Sequence, residues 1–145
     1  MLNATLDTRK FDAAISALNQ LLANMNEPLG EIQQSYLREY LQRFEQMQSP
    51  EGRAWQPLSP FYRATKPKNK DKILTLEGRL RNDLQVQRGT LSLSFGNSLP
   101  YAELMQFGGQ AAKGYVPARP FQGFSGKSEL AVINAITQSI SKRWK

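Results

Sequence analysis

The first fifty residues show apolar positions spaced three and four residues apart, which is typical of amphipathic helices. Asp7 or Thr8 can cap a first helix, and residues 26–28 should end it. The apolar stripe of this helix consists of Phe11, Ile15, Leu18, Leu22 and Met25, and it is widened by Ala14 and Leu21. Because residues four apart lie above one another on a helix, we interpret this stripe as the face that packs into the core.

A second helix is predicted to begin with Pro28 in its first turn. Its apolar side consists of Leu29, Ile32, Tyr36, Tyr40, Phe44 and Met47. Its polar side consists of Glu31, Gln34, Arg38 and Gln42. We interpret this stripe as core packing too, and we expect the two helices to form an antiparallel pair or one long bent arm.

The middle of the chain is rich in proline and has no helical spacing of apolar residues. The sequence from Ser49 to Gly52 is a turn signal. The segment from Trp55 to Tyr62 carries too many prolines for a helix or a central strand. We therefore expect an ordered extended segment there. Residues 73–84 indicate a short helix or the start of a strand, followed by a turn.

The last sixty residues predict a small sheet and a final helix. A β-hairpin with one buried face is indicated around Arg88 and Gly89 by the alternating positions Leu84, Val86, Leu91, Leu93 and Phe95. Residues 101–107 predict two helical turns, and residues 115–121 predict extended backbone because proline biases its predecessor toward β geometry. A final helix begins at Ser125 or Ser128, with the apolar stripe Leu130, Ile133, Ile136 and Ile140.

These elements predict one α+β domain over residues 1–145. It has two N-terminal helices, a small antiparallel β-sheet with long loops, and a C-terminal helix. Within it we distinguish a helical arm (1–48), an extended proline-rich segment with a basic loop (49–72), and an α+β core (73–145).

The composition excludes most catalytic chemistry, because the 145 residues include no cysteine and no histidine. Thiolate nucleophiles, imidazole bases, disulfides and typical zinc sites are therefore ruled out. A carboxylate pair in the C-terminal half would need Glu103 and Glu129 to meet. We expect no enzyme activity, no cofactor and no metal. The opening residues and the absence of a long apolar run argue against secretion and membrane insertion.

The net charge of +7 lies in the middle and C-terminal parts of the chain. Residues 1–50 hold four basic and six acidic side chains, whereas residues 51–145 hold fifteen basic and six acidic ones. The charge is densest in a stretch that we interpret as an exposed mobile loop, with the cations Arg63, Lys66, Lys68, Lys70 and Lys72. Such a loop can contact an acidic partner surface or the phosphates of DNA, and we favour the former.

Short motifs in order along the chain resemble the phage virion morphogenesis family, which contains tail-completion proteins and Mu-like G proteins of tailed bacteriophages. The resemblance covers roughly residues 10–140. Its motifs are residues 50–52 and 55–59, Lys66, residues 73–74 and 78–80, 101–102 and 106–108, and Val116 to Phe121 with Gly123. One departure is Met105, which stands where members often carry a histidine.

The resemblance implies a non-enzymatic protein of the virion neck or the head-proximal end of the tail, assembled in the host cytoplasm. It implies rings of small subunits and neighbouring neck, tail-terminator or portal-adaptor proteins as partners. Ring subunits need two different surfaces. Our candidates are the two proline-aromatic segments, Trp55 to Tyr62 and Val116 to Phe124, whose aromatic side chains can equally fill their own core. The candidate interface residues are Trp55, Pro57, Leu58, Phe61, Tyr101, Gln106, Phe107, Pro117, Arg119, Pro120 and Phe121.

Arg119 is the most specific of these candidates because it stands between two prolines. A guanidinium keeps its charge, so burying it without partners would be costly. It can pair within its own subunit or reach a neighbouring one. We favour the neighbour, because Glu103 and Glu129 are the only local acids.

Overall fold

The computed structural model describes residues 4, 5 and 7–143, and it confirms the α+β class. Leu6 and residues 1–3, on which the argument against a secretory leader partly rests, lie outside the described residues. The helices are α1 (Arg9–Ala23), α2 (Asn26–Gln46), α3 (Pro60–Thr65), α4 (Arg79–Asn82), α5 (Ala102–Phe107) and α6 (Gly126–Arg143). The strands are β1 (Leu84–Arg88), β2 (Leu93–Asn97), β3 (Gly109–Ala111) and β4 (Gly114–Val116).

Helix α2 forms the centre of the core, and its predicted apolar face is confirmed. Tyr36, Tyr40 and Phe44 are buried on that face. The Phe44 ring lies 5.5 Å from the Trp55 ring and 5.9 Å from the Phe121 ring, measured between centroids. Aromatic pairs at these spacings contribute attraction beyond the area they bury. Side chains from the middle and the C-terminal part of the chain therefore converge on α2.

Helix α6 packs against both α1 and α2, and it does so through small side chains. Its buried residues are Ser128, Ala135 and Ser139. Leu130 and Ile133 of the predicted apolar stripe are exposed. Small residues let helix backbones approach closely, so the bulkier side chains are left on the outer face.

The predicted core face of α1 is wrong except at Leu21. Helix α1 exists where the spacing placed it, with Thr8 at its N-cap position. Its buried residues, however, are Ala17 and Leu21. The outward stripe is exposed and consists of Phe11, Ile15, Leu18 and Leu22. Because α1 meets α6 along its Ala17 face, its widest apolar stripe has no partner in the described part of the chain.

Two short hairpins make up the β structure. β1 pairs with β2 in an antiparallel register that joins Val86 to Phe95, as the alternation predicts. Phe95 stacks on Tyr36 of α2 with ring centroids 3.9 Å apart, which fixes the hairpin to the core. Leu91, expected to lie in the strand, lies in the exposed connection. The second hairpin, β3 with β4, was not predicted from the sequence because each of its strands has only three residues.

The expectation of continuous extended backbone from Trp55 to Tyr62 is wrong at its end, because α3 begins at Pro60. Ser59 caps this helix by accepting a hydrogen bond from the Tyr62 amide at 3.2 Å. A serine N-cap followed by proline at the first helical position is a recognised helix start. Among the described residues, no helix has both the length and the apolar character needed to cross a bilayer.

Asp83 fastens the end of the β1–β2 hairpin. Its carboxylate accepts hydrogen bonds from the amides of Ser98 at 2.7 Å and Leu99 at 3.0 Å. Burial acts to raise the pKa of Asp83, but the hydrogen bonds from Ser98 and Leu99 outweigh it, and the pKa is lowered overall. The ionised carboxylate therefore stabilises the folded chain at neutral pH.

Asp83→Asn is expected to lower the free energy of unfolding by about 1 to 2 kcal/mol at pH 7, since charge-assisted hydrogen bonds are lost. A lowered pKa means that this stabilisation is present above about pH 4 and disappears as the pH falls through the folded-state pKa. Urea unfolding at pH 7 and pH 2.5 should show the gap between variant and parent closing in acid. Asp71→Asn, at an exposed ion pair with Arg63, is the control. A gap that stays constant with pH would contradict this account.

Candidate functional site

The two proline-aromatic segments lie side by side, so they do not form two separate surfaces. The Trp55 indole donates to the Pro120 carbonyl at 2.6 Å. In the opposite direction, Arg119 donates from Nε to the Gln56 carbonyl at 2.7 Å and from Nη2 to the Pro57 carbonyl at 3.1 Å. The expectation of two different ring surfaces from these segments is therefore wrong. Together they form one wall of a single site.

Arg119 pairs within its own subunit through two backbone carbonyls, which is the alternative that we did not favour from the sequence. The side chain is only 7% exposed. The prediction favoured a neighbouring subunit because acids are few nearby, but backbone carbonyls also accept the hydrogen bonds of a guanidinium. Burial lowers the pKa of Arg119, with a smaller opposing effect from Tyr62.

Trp55 and Phe121 fill the core, so their role as surface anchors is also wrong. Both are buried against Phe44 of α2. Pro120 is partly buried, and its carbonyl is the acceptor for Trp55. Of the two alternatives for these aromatic side chains, the structure selects the core.

Gln106 holds the segment after Pro120 in place. Its Oε1 accepts from the amides of Phe121 at 3.0 Å and Gln122 at 2.9 Å, and its Nε2 donates to the Gln122 carbonyl at 3.0 Å. Gln106 is therefore a bracing residue inside the subunit. Nearby, Gly108 has φ +70°, and a Cβ there would lie 2.6 Å from the Ala118 amide nitrogen, so only glycine fits this approach.

An open cleft of about 820 Å³ lies beside this wall. It brings together five of the predicted interface residues: Pro57, Leu58, Tyr101, Pro117 and Arg119. The rest of the lining lies outside the predicted interface residues and includes Tyr62, Leu74, Leu76, Leu80, Met105 and Tyr115. Phe61 and Phe107 are exposed but do not line the cleft.

Lys66 is buried at the edge of the cleft, so its assignment to an exposed basic loop is wrong. Only 2% of the residue is exposed. Its Nζ donates to the carbonyls of Asn69 at 2.9 Å, Lys72 at 2.6 Å and Thr75 at 2.8 Å. Burial lowers the pKa of Lys66. The stretch predicted to be a mobile loop is thus closed around a central ammonium group.

The other cations of this loop differ in whether they are available to contact a partner. Arg63 lies in α3 and pairs with Asp71, and Lys70 reaches the Ala64 carbonyl at 3.4 Å. Lys68 and Lys72 are exposed. Exposed ion pairs contribute little energy. The positive charge available for contact is therefore smaller than the five cations of the sequence indicate.

Comparison with family models matches residues 6–141 of this chain to the phage virion morphogenesis family. No curated protein and no solved structure matches the chain. The family match covers nearly all of the described residues, including the cleft and all six helices except the last residues of α6.

Proposed function

We propose that this chain, which belongs to the phage virion morphogenesis family and is a virion assembly protein, acts as a ring-forming subunit of the neck or tail-completion complex. Its role would be non-enzymatic: to join the head to the tail. It would lie at the neck or the head-proximal end of the tail in the virion, after assembly in the host cytoplasm. Its neighbours would be its own copies and adjacent neck, tail-terminator or portal-adaptor proteins.

The exposed apolar stripe of α1 carries this proposal. Phe11, Ile15, Leu18 and Leu22 face outward along about three turns of helix. Monomeric proteins rarely leave a continuous apolar face of this kind in water, and such faces mark association sites. The stripe supports a contact between copies in which α1 of one subunit packs on its neighbour.

The distribution of charge supports a head-to-tail arrangement of copies. A closed ring with one repeated contact needs two different surfaces that complement one another. Residues 1–50 have a balance of −2, from four basic and six acidic side chains, and residues 51–145 have +9, from fifteen and six. A contact between the helical surface of one copy and the basic remainder of the next would therefore be electrostatically favourable.

The test replaces α1 side chains on the outward stripe. In the double variant Ile15→Glu with Leu22→Glu, stability should stay within about 1 kcal/mol of the parent, because both positions are substantially exposed. Two buried charges in a contact between copies would prevent assembly. In phage lacking the natural gene, the variant should give unjoined heads and tails by electron microscopy and no infectious particles.

The matched control carries the same two charges on the same helix, in Asn19→Glu with Gln20→Glu, both at exposed polar positions. It should support normal particle production. Normal particles from the stripe variant would contradict the proposal. DNA affinity that falls steeply with salt, together with a stripe variant that behaves like the control, would instead favour the alternative of a basic nucleic-acid-binding module.

A further inference from the structure

We propose that the cleft binds an extended apolar segment of a partner protein, and that a glutamate or aspartate side chain of this segment pairs with Arg119. The proposal rests on the cleft alone. An experiment can therefore contradict ring formation through α1 without contradicting binding in the cleft, and the reverse also holds.

The walls of the cleft suit an apolar chain. Its volume of about 820 Å³ lies within the range of about 300 to 1,000 Å³ that is usual for ligand sites. Exposed apolar and aromatic side chains stand at its walls, namely Tyr62, Leu76, Tyr101 and Tyr115. Tyrosine combines a large apolar area with a polar tip and loses little entropy when it is covered.

The charged residues that line the cleft favour an acidic ligand. Its lining holds three basic side chains, Lys66, Arg79 and Arg119, and one acidic side chain, Glu77. Glu77 is already paired with Arg79 at 3.1 Å. Among the residues that the structure describes, neither Lys66 nor Arg119 forms an ion pair. Two deeply buried positive charges therefore stand at one cleft without a counter-ion.

Arg119 has donors left for a ligand, whereas Lys66 does not. The guanidinium has five N–H donors, and its bonds to the carbonyls of Gln56 and Pro57 use Nε and Nη2. Nη1 makes no hydrogen bond within the described chain. The three donors of Lys66 are all engaged with carbonyls. Lys66 thus contributes a positive field, and Arg119 offers the hydrogen bond that fixes a carboxylate.

The sheet beside the cleft favours an extended partner segment over a compact molecule. Tyr115 and Val116 of β4 line the cleft. In the described structure, β4 pairs with β3 alone, so its second edge has no strand partner. An extended segment can add to such an edge through backbone hydrogen bonds while its side chains fill adjacent pockets.

The experiment uses a heptapeptide with blocked termini, built from alternating valine and serine with a central glutamate. The full-length protein, labelled with ¹⁵N, is titrated with it, and amide shifts are followed by NMR. We expect saturable shifts at Tyr115, Val116 and Arg119. Replacing the central glutamate by glutamine should weaken binding by about tenfold, which is the loss expected for one charge-assisted hydrogen bond. A glutamine peptide with a free C-terminal carboxylate tests whether a chain end substitutes for the acidic side chain.

Three protein variants make the result specific. Tyr115→Ala removes an exposed cleft side chain, and Phe107→Ala removes an equally exposed aromatic outside it, at 72% and 71% exposure. Tyr115→Ala should weaken binding severalfold, and Phe107→Ala should not. Arg119→Gln, which removes the positive charge, should abolish the preference for glutamate over glutamine.

Several results would overturn the proposal. These are equal affinity for the glutamate and glutamine peptides, tighter binding of the peptide with the free carboxylate, or shifts that map away from the cleft. Shifts at the cleft that depend on protein concentration without any peptide would identify the occupant as a second copy of this chain. That outcome would also overturn the assignment to a partner protein.

Discussion

Phe121→Ala is expected to lower the free energy of unfolding by about 3 to 5 kcal/mol, which is the usual cost of deleting a buried phenylalanine ring. Only 1% of Phe121 is exposed, and its ring meets the rings of Tyr40 and Phe44. The loss combines the transfer of the ring from water with the cavity left behind. Urea unfolding followed by circular dichroism measures it directly.

Phe107→Ala is the control for this prediction, because it deletes the same ring from a side chain that is 71% exposed. Its free energy of unfolding should stay within about 0.5 kcal/mol of the parent, as for most surface changes. Equal losses in the two variants would contradict the core assignment of Phe121. A stable Phe121→Ala protein that fails only in virion assembly would return Phe121 to the interface.

The two N-terminal helices show what periodicity predicts and what it leaves open. Both were found from the same spacing of apolar residues, yet the stripe of α2 is buried and that of α1 is exposed. Spacing determines which side chains share a face, but the partner that packs on the helix determines which face is covered. Here α6 offers small residues, and Ala17 of α1 fits them better than Phe11 does.

The proline segments could be found from the sequence, but their relation to one another could not. Proline predicts extended backbone in its own segment. It does not indicate which segment, about 60 residues away, accepts the hydrogen bonds of the residues beside it. The bonds from Arg119 to Gln56 and from Trp55 to Pro120 span 63 and 65 residues. Their acceptors are backbone carbonyls, which every residue supplies, so no residue type in the sequence marks them.

Part of the cleft lining could be found from the sequence, namely the residues that we named as interface candidates. Five of the eleven interface candidates line it, because the two proline segments from which most of them come lie side by side next to the core. The charge of the site was misjudged, since a lysine in a run of lysines gives no sign that it is buried. Only the carbonyls that converge on Lys66 distinguish it from Lys68.

Lys66→Met keeps the length and apolar stem of this side chain while removing its ammonium group. It leaves the carbonyls of Asn69, Lys72 and Thr75 without their shared donor. Each unsatisfied buried acceptor costs about 1 to 3 kcal/mol. Because some of the three carbonyls can turn toward water, we expect the free energy of unfolding to fall by about 2 to 4 kcal/mol in total. The loss of structure should be confined to residues 66–75, because the ammonium group bonds only to carbonyls within that stretch.

Hydrogen exchange of the Lys66→Met protein should therefore show faster exchange at Lys72, whose amide donates to the Asn69 carbonyl, while amides of α2 stay protected. Lys68→Met is the control, since it makes the same substitution in the same loop on an exposed side chain. Its exchange and stability should match the parent. If the parent already exchanges its loop amides as fast as a disordered segment, the loop is mobile as the sequence predicts, and the Lys66 bonds do not hold it. If they are slow in the parent and in Lys68→Met but fast in Lys66→Met, one buried charge organises the loop and, through Thr75, the adjoining wall of the cleft.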